Sequence, residues 1–250
     1  MLSIILTAIC VVSGPKDGRK LVFDEEFNKA GSVNTAQWIF DDGPVYNQEL
    51  EKYTSAKGGN AIVEHGNLVI TATKVNGVIT SARLETKQAW KYGYFEFRAK
   101  VPTGKGTWPA IWMLNESLKK GTGTWPASGE IDIMENVGYD PASFHFSLHS
   151  AKYNWMKPAQ RTKAVSIPKA TTEFHVFGLD WKPDTIVFYL DGSPAYTVER
   201  KGEDTDGWPF KDPFYLILNL AIGGNWGGSK GVDDAIFPSK YYIDYVRIYQ

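Results

Sequence analysis

The sequence predicts an all-β fold: a sandwich of two stacked antiparallel sheets forming one domain. Three observations carry that expectation. Apolar and polar residues alternate with a period of two along most of the chain. Gly and Pro together number 37 of 250 residues and punctuate the alternation with turns. No stretch carries three turns of 3.6-residue amphipathicity with caps at both ends. Many short strands separated by turns bury their apolar faces best as two packed sheets.

The elements follow in chain order. Residues 67–74 (NLVITATK) and 93–101 (GYFEFRAKV) alternate as half-buried strands. Residues 185–190 (TIVFYL) run into Asp191-Gly192, a two-residue hairpin signal, and residues 195–199 return. Residues 214–222 (FYLILNLAI) form a continuous apolar run, as expected of a strand covered on both faces. Residues 241–249 (YYIDYVRIY) make a long last strand. Loops rich in Gly and Trp fall between these runs, at 104–106, 121–129 and 223–231. With no internal repeat, low-complexity tract or linker, residues 18–250 read as a single domain.

Composition narrows the function. Lys and Arg number 27 against 28 Asp and Glu, a net charge of −1, without the basic excess expected of a nucleic-acid or membrane-surface protein. A single Cys, Cys10, rules out a disulfide framework and a Cys-based metal site. Nine Trp, 13 Tyr and 13 Phe are more aromatic rings than a core usually needs. Residues 2–12 (LSIILTAICVV) are an apolar run too short for a bilayer, which takes about 20 residues. Its length and the small Ser13 and Gly14 after it suit a secretory leader over residues 1–17, although no basic residue precedes Lys16. Export to the periplasm or the medium is the expectation, with lipid anchoring through Cys10 a second route. A first strand is the alternative.

The segment WPASGEIDIMENVG (125–138) holds three acids in six residues, Glu130, Asp132 and Glu135. In a regular strand Glu130 and Asp132 share a face and Glu135 points to the other. A β-bulge at Ile133-Met134 absorbs one residue and brings all three onto one face. The outer pair then lie about 13 Å apart at Cα, four strand steps, and their side chains close most of that gap. Glycosidases hold two carboxyls about 5–5.5 Å apart to retain configuration, or about 6.5–9.5 Å apart to invert it. Crowded carboxylates repel, so one keeps its proton near neutral pH, as a general acid must. An exposed acidic edge or a calcium site uses the same residues, and spacing alone does not choose between them.

The same segment resembles the active-site strand of family-16 glycoside hydrolases, in the laminarinase-like branch with its bulged Glu-x-Asp-x-x-Glu. The resemblance runs in order through LVFDEEF (21–27), YNQELEKYT (46–54), residues 80–114, residues 174–192, FYLILNLAIGGNW (214–226) and the last strand. It implies a concanavalin-like jelly roll with a concave substrate cleft. It further implies a retaining endo-β-glucanase acting on β-1,3-glucan or mixed-linkage β-1,3-1,4-glucan. Glu130 matches the nucleophile, Asp132 its assisting acid and Glu135 the general acid/base. Trp108, Trp112 and Trp125 match cleft-lining positions, with core packing the alternative for Trp108 or Trp112. Asn47 and Arg83 match sugar-bonding positions, and Arg83 equally suits a structural ion pair with Glu49 or Glu85. His149 and Asn154, with His145 on the same face as His149, suit positioning of the acid/base or a sugar hydroxyl. Trp226 suits the leaving-group side. The resemblance implies no cofactor for catalysis, a structural calcium near Glu26, Gly66 and Asp244, and a monomer that binds a β-glucan polysaccharide. An agarase-like galactanase and a non-catalytic glucan-binding sandwich are the competing readings.

Overall fold

The structure, a computed structural model, describes residues 16–44 and 46–250. The apolar leader and Cys10 therefore lie outside the described residues. Seven strands make the sheet that carries the site: β1 (Trp38–Phe40), β2 (Arg83–Trp90), β3 (Thr107–Asn115), β4 (Glu130–Asn136), β5 (Ser143–His149), β6 (Arg161–Ser166) and β7 (Phe214–Ile222). They lie side by side in the order β6-β5-β4-β3-β7-β2-β1, every pair antiparallel.

The second sheet has eleven strands among the described residues. Its centre is built from Thr185–Leu190, His175–Trp181, Gly93–Lys100, Ser239–Tyr249 and Asn67–Val75. All its pairings are antiparallel except Lys52–Tyr53 against Thr80 and Ser81, which is parallel. The expected strands appear within two residues of their expected ends. Ser193–Glu199 starts earlier than expected because it is an edge strand, where Pro194 leaves no internal ladder bond unmade. The Asp191-Gly192 turn has φ of +48° and +79°, the left-handed pair that a tight hairpin requires.

One core fills the space between the sheets, and strict alternation supplies it. Ile111 and Met113 of β3, Phe144, Phe146 and Leu148 of β5, and Leu216, Leu218 and Leu220 of β7 point inward. They meet Phe95 and Phe97, Phe177 and Leu179, and Ile243 and Val246 of the second sheet. Each such side chain contributes roughly 1.5–3 kcal/mol by leaving water. β7 is buried along its whole length, as its unbroken apolar run predicts. Its outward residues Tyr215 and Ile217 pack with Leu114, and Trp112 lies against them. At the start of the described chain, Lys16 lies over the Tyr249 ring, and Arg19 pairs with Asp180 at 2.7 Å. Among the described residues, no helix is long and apolar enough to cross a membrane.

Candidate active site

The bulge sits where the spacing places it. Across the β3–β4 ladder, Glu130, Asp132 and Glu135 face Leu114, Trp112 and Ala110, alternate residues of one strand and hence one face. Across β4–β5 they face His149, Ser147 and His145, again alternate residues. The extra residue is absorbed between Asp132 and Glu135, where Ile133 and Met134 both turn into the core, fully buried. Two consecutive apolar residues on the inner side are what keep Glu135 on the outer side.

Each glutamate receives an indole. Trp125 Nε1 donates to Glu130 Oε2 at 2.7 Å, and Trp108 Nε1 donates to Glu135 Oε1 at 3.1 Å. Asp132, 1% exposed, lies between the two. His149, 4% exposed, puts Nε2 3.1 Å from Asp132 Oδ2 and 3.8 Å from Glu130 Oε1. The His149 ring also lies 6.2 Å from that of Trp125. Ser147 is buried and bonds Thr162 of β6 at 2.9 Å.

The electrostatics divide the three acids by role. Burial is the main cause that raises all three above the usual carboxylate range, and their mutual repulsion adds to it. Glu130 is raised to about 8 and Glu135 to about 7. Asp132, the most enclosed, is pushed well above its ordinary value by burial and by Glu135. Burial and Glu135 together lead Asp132 to keep its proton, with the Glu130 carboxyl beside it. With Asp132 neutral, the largest electrostatic push on Glu130 is gone, and the Trp125 N–H favours its carboxylate. Glu135 is left as a neutral acid below about pH 7.

The remaining residues form the walls. Trp108 and Trp112 both project to the cleft side, because Ile111 and Met113 take the core side of β3, so neither joins the core between the sheets. Trp112 donates to Asn219 Oδ1 at 2.8 Å and lies under the Arg83 guanidinium, 4.9 Å from its ring centre. Arg83 is buried and pairs with Asp41 at 3.0 Å and Glu85 at 3.2 Å, not with Glu49. Asn47 is exposed and bonds Glu49 at 3.2 Å, and its carbonyl accepts the Asn225 N–H. Trp226 meets the edges of Trp108 (5.7 Å) and His145 (4.8 Å), so the Gly-rich loop closes over the Glu135 end of the site.

One expectation needs correction. Asn154 offers nothing to a sugar: it is 1% exposed, its amide donates to the carbonyls of Ser150 and Ala151, and its oxygen accepts from Met156 N. It builds the turn after β5 instead. The carboxylates assigned to calcium are held by arginines of the second sheet. Glu26 grips Arg247 through both oxygens (2.6 and 2.9 Å), and Asp244 pairs with Arg98. Gly66 sits in the turn before Asn67–Val75, with φ of +74°. Both carboxylates are thus paired with a guanidinium as placed. Among the described residues, the acids and histidines that do converge are Glu130, Asp132 and His149.

Sequence reasoning missed Glu51, Tyr53 and Asn219, which lie behind the cleft and link its loop to Trp112. Asn219 carried a signal, as the one polar residue in FYLILNLAI.

The sequence comparisons give the chain that carries this bulged strand and its indole-held glutamates a family. Residues 48–247 match the glycosyl hydrolases of family 16. This chain belongs to that family. A β-glucanase from Rhodothermus marinus is 43% identical over 243 residues, covering 92% of this chain and 85% of its own. The solved structure of SCLam, described as a non-specific endo-β-1,3(4)-glucanase of the same family, superposes with a TM-score of 0.87 at 40% identity. It covers 95% of this chain and 93% of its own. The family also reaches other polymers: a keratan-sulfate endo-1,4-β-galactosidase from Sphingobacterium multivorum is 35% identical over 92% of this chain and 55% of its own. The fold is the family's jelly-roll sandwich, and the chain is a glycoside hydrolase.

Proposed function

We infer that this family-16 enzyme is a retaining endo-β-1,3(4)-glucanase. The observation that carries the reading is the bulge between Asp132 and Glu135, which sets a proton-bearing Glu135 and an indole-held Glu130 on one face. Glu135 gives its proton to the leaving glycosidic oxygen while a Glu130 oxygen attacks the anomeric carbon, forming a glycosyl ester. Asp132 backs Glu130 from within the sheet face, and its proton limits the charge of the cluster. The Glu135 carboxylate then takes a proton from water, and that water displaces Glu130 from the same carbon. Two inversions give net retention.

Cleft-lining indoles suit the apolar faces of a neutral sugar, and their N–H groups its hydroxyls. The keratan-sulfate relative raises a sulfated galactan as a second reading. A sulfated chain calls for cations free to meet it, whereas Arg83 is already committed to Asp41 and Glu85. That favours an uncharged glucan. The same reading has the enzyme exported, as a monomer, to meet a polymer too large to enter a cell; the apolar residues 2–12 support export. Product analysis on laminarin, barley mixed-linkage glucan and agarose side by side tests the whole reading. Oligosaccharides are expected from the two glucans; release from agarose alone would overturn it.

A further inference from the structure

Behind the cleft lies an acid pair that the catalytic steps do not use. Glu49 and Glu51 alternate on the segment that follows Asn47, both buried, Glu51 to 2% exposure. Glu49 accepts two hydrogen bonds, from Asn47 Nδ2 (3.2 Å) and from the Tyr53 hydroxyl (3.0 Å), as an ionised carboxylate does. Tyr53 in turn accepts from Asn219 Nδ2 at 3.0 Å, and Asn219 Oδ1 accepts the Trp112 indole N–H at 2.8 Å. An unbroken relay thus joins the Asn47 loop to a cleft-wall tryptophan.

Glu51 lies beside Glu49 and is fastened to β7. Its Oε2 accepts the Ile222 N–H of β7 at 2.7 Å, and the Ile222 carbonyl takes the Leu50 N–H at 2.8 Å. Its Oε1 is buried and has no donor. An ionised Glu51 would leave that oxygen unpaired and aimed at a second carboxylate, a costly arrangement. A proton on Oε1 removes the problem, because Glu51 then donates to Glu49. The raised affinity of Glu51 for its proton, caused first by burial and then by Glu49, agrees with the geometry. The other titratable groups facing this pair are Tyr53 on the same segment and Arg83 of β2; β7 presents Ile222 and Asn219.

We propose that Glu51 is a positioning residue for glucan binding: as a neutral acid it bonds Glu49 and β7, and so fixes the Asn47 loop and, through Tyr53 and Asn219, Trp112. It touches no substrate and acts on affinity rather than on bond cleavage. The proposal rests on the endo-glucanase reading, which wild-type turnover tests separately, while the ratios between variants test Glu51.

The experiment measures KM and kcat on a soluble β-glucan at pH 6 for the wild type, Glu51→Gln, Glu51→Ala and Tyr53→Phe, with Tm for each. Gln keeps a neutral donor and an acceptor, so Glu51→Gln is expected within twofold of the wild type in both constants. Glu51→Ala is expected to raise KM about tenfold with kcat within twofold. Tyr53→Phe, which removes one hydroxyl and folds even if Glu51→Ala does not, is expected to raise KM in the same way. A lowered Tm with unchanged KM in Tyr53→Phe would make the relay mere packing and overturn the proposal. A Glu51→Gln variant whose KM rises as far as that of Tyr53→Phe would show that the charge of Glu51 is needed, and would overturn it as well.

Discussion

Trp125 and Glu130 are joined by a 2.7 Å hydrogen bond from the indole Nε1 to Oε2, so the aromatic wall of the cleft and the attacking carboxylate are one unit. The indole steers the nucleophile and favours its charged form. Trp125→Phe keeps the ring and loses the donor. A hydrogen bond to a charged group contributes about 1.5–3 kcal/mol, so kcat/KM on β-glucan is expected to fall roughly 10- to 150-fold, read by reducing-sugar release. An unchanged kcat/KM would mean that the indole only stacks.

Glu130→Ala and Glu135→Ala each remove one partner of the double displacement. Both are expected to lower kcat at least about 10³-fold while the folded protein still binds oligosaccharide, followed by tryptophan fluorescence. External azide is expected to restore turnover to Glu130→Ala through an azide adduct of inverted configuration. Wild-type turnover in either variant contradicts its role.

The bulge is testable by deletion. Removing Ile133 alone leaves four strand steps between Glu130 and Glu135 and a regular register of the three acids against Leu114, Trp112 and Ala110, so all three stay on one face. A lowered Tm from the lost buried side chain is expected, with glucan cleavage still detectable. Removing Ile133 and Met134 together leaves three steps, turns Glu135 to the core face and is expected to abolish cleavage. A double-deletion variant that cleaves glucan at the wild-type rate would show that the bulge does not set the site.

Raised carboxyl pKa values tie both activity and stability to pH. Glu135 must carry its proton, so kcat is expected to fall as pH rises through about 7. Glu51 is raised to about 9, and Glu135 to about 7, from an ordinary 4.5. Between 4.5 and those values the folded chain binds more protons than the unfolded one, so stability is greatest on the acid side and declines as pH climbs toward 9. Tm measured from pH 5 to pH 9 is expected to fall, and less steeply in Glu51→Gln. A Tm that rises over that range contradicts the burial of these acids.

Asn154→Ala separates building a turn from binding a sugar. Losing a buried amide that makes three backbone bonds is expected to cost about 1–3 kcal/mol in urea unfolding. KM for glucan is expected to stay unchanged; a large rise in KM would return Asn154 to the cleft.

What the sequence revealed, and what it hid, has physical causes. Period-two alternation announces the strands because each has one wet and one dry face, and Glu-x-Asp-x-x-Glu announces the bulge because only an extra residue aligns its acids. Asn154 misled because an amide that serves its own backbone looks, in sequence, like one that serves a ligand. Glu49 and Glu51 were hidden for the opposite reason: their alternation resembles a solvated strand face, and they are buried only because the segment folds down onto β7. The ambiguity between Trp108 and Trp112 disappears once Ile111 and Met113 are seen to occupy the inner side.

The stereochemistry of the first product is the most direct measurement. Proton NMR of the reducing end released from a β-glucan, recorded within minutes before mutarotation, is expected to show the β-anomer, because Glu130 and the water each invert the same carbon. Initial release of the α-anomer would mean a single displacement, and would contradict Glu130 as the nucleophile.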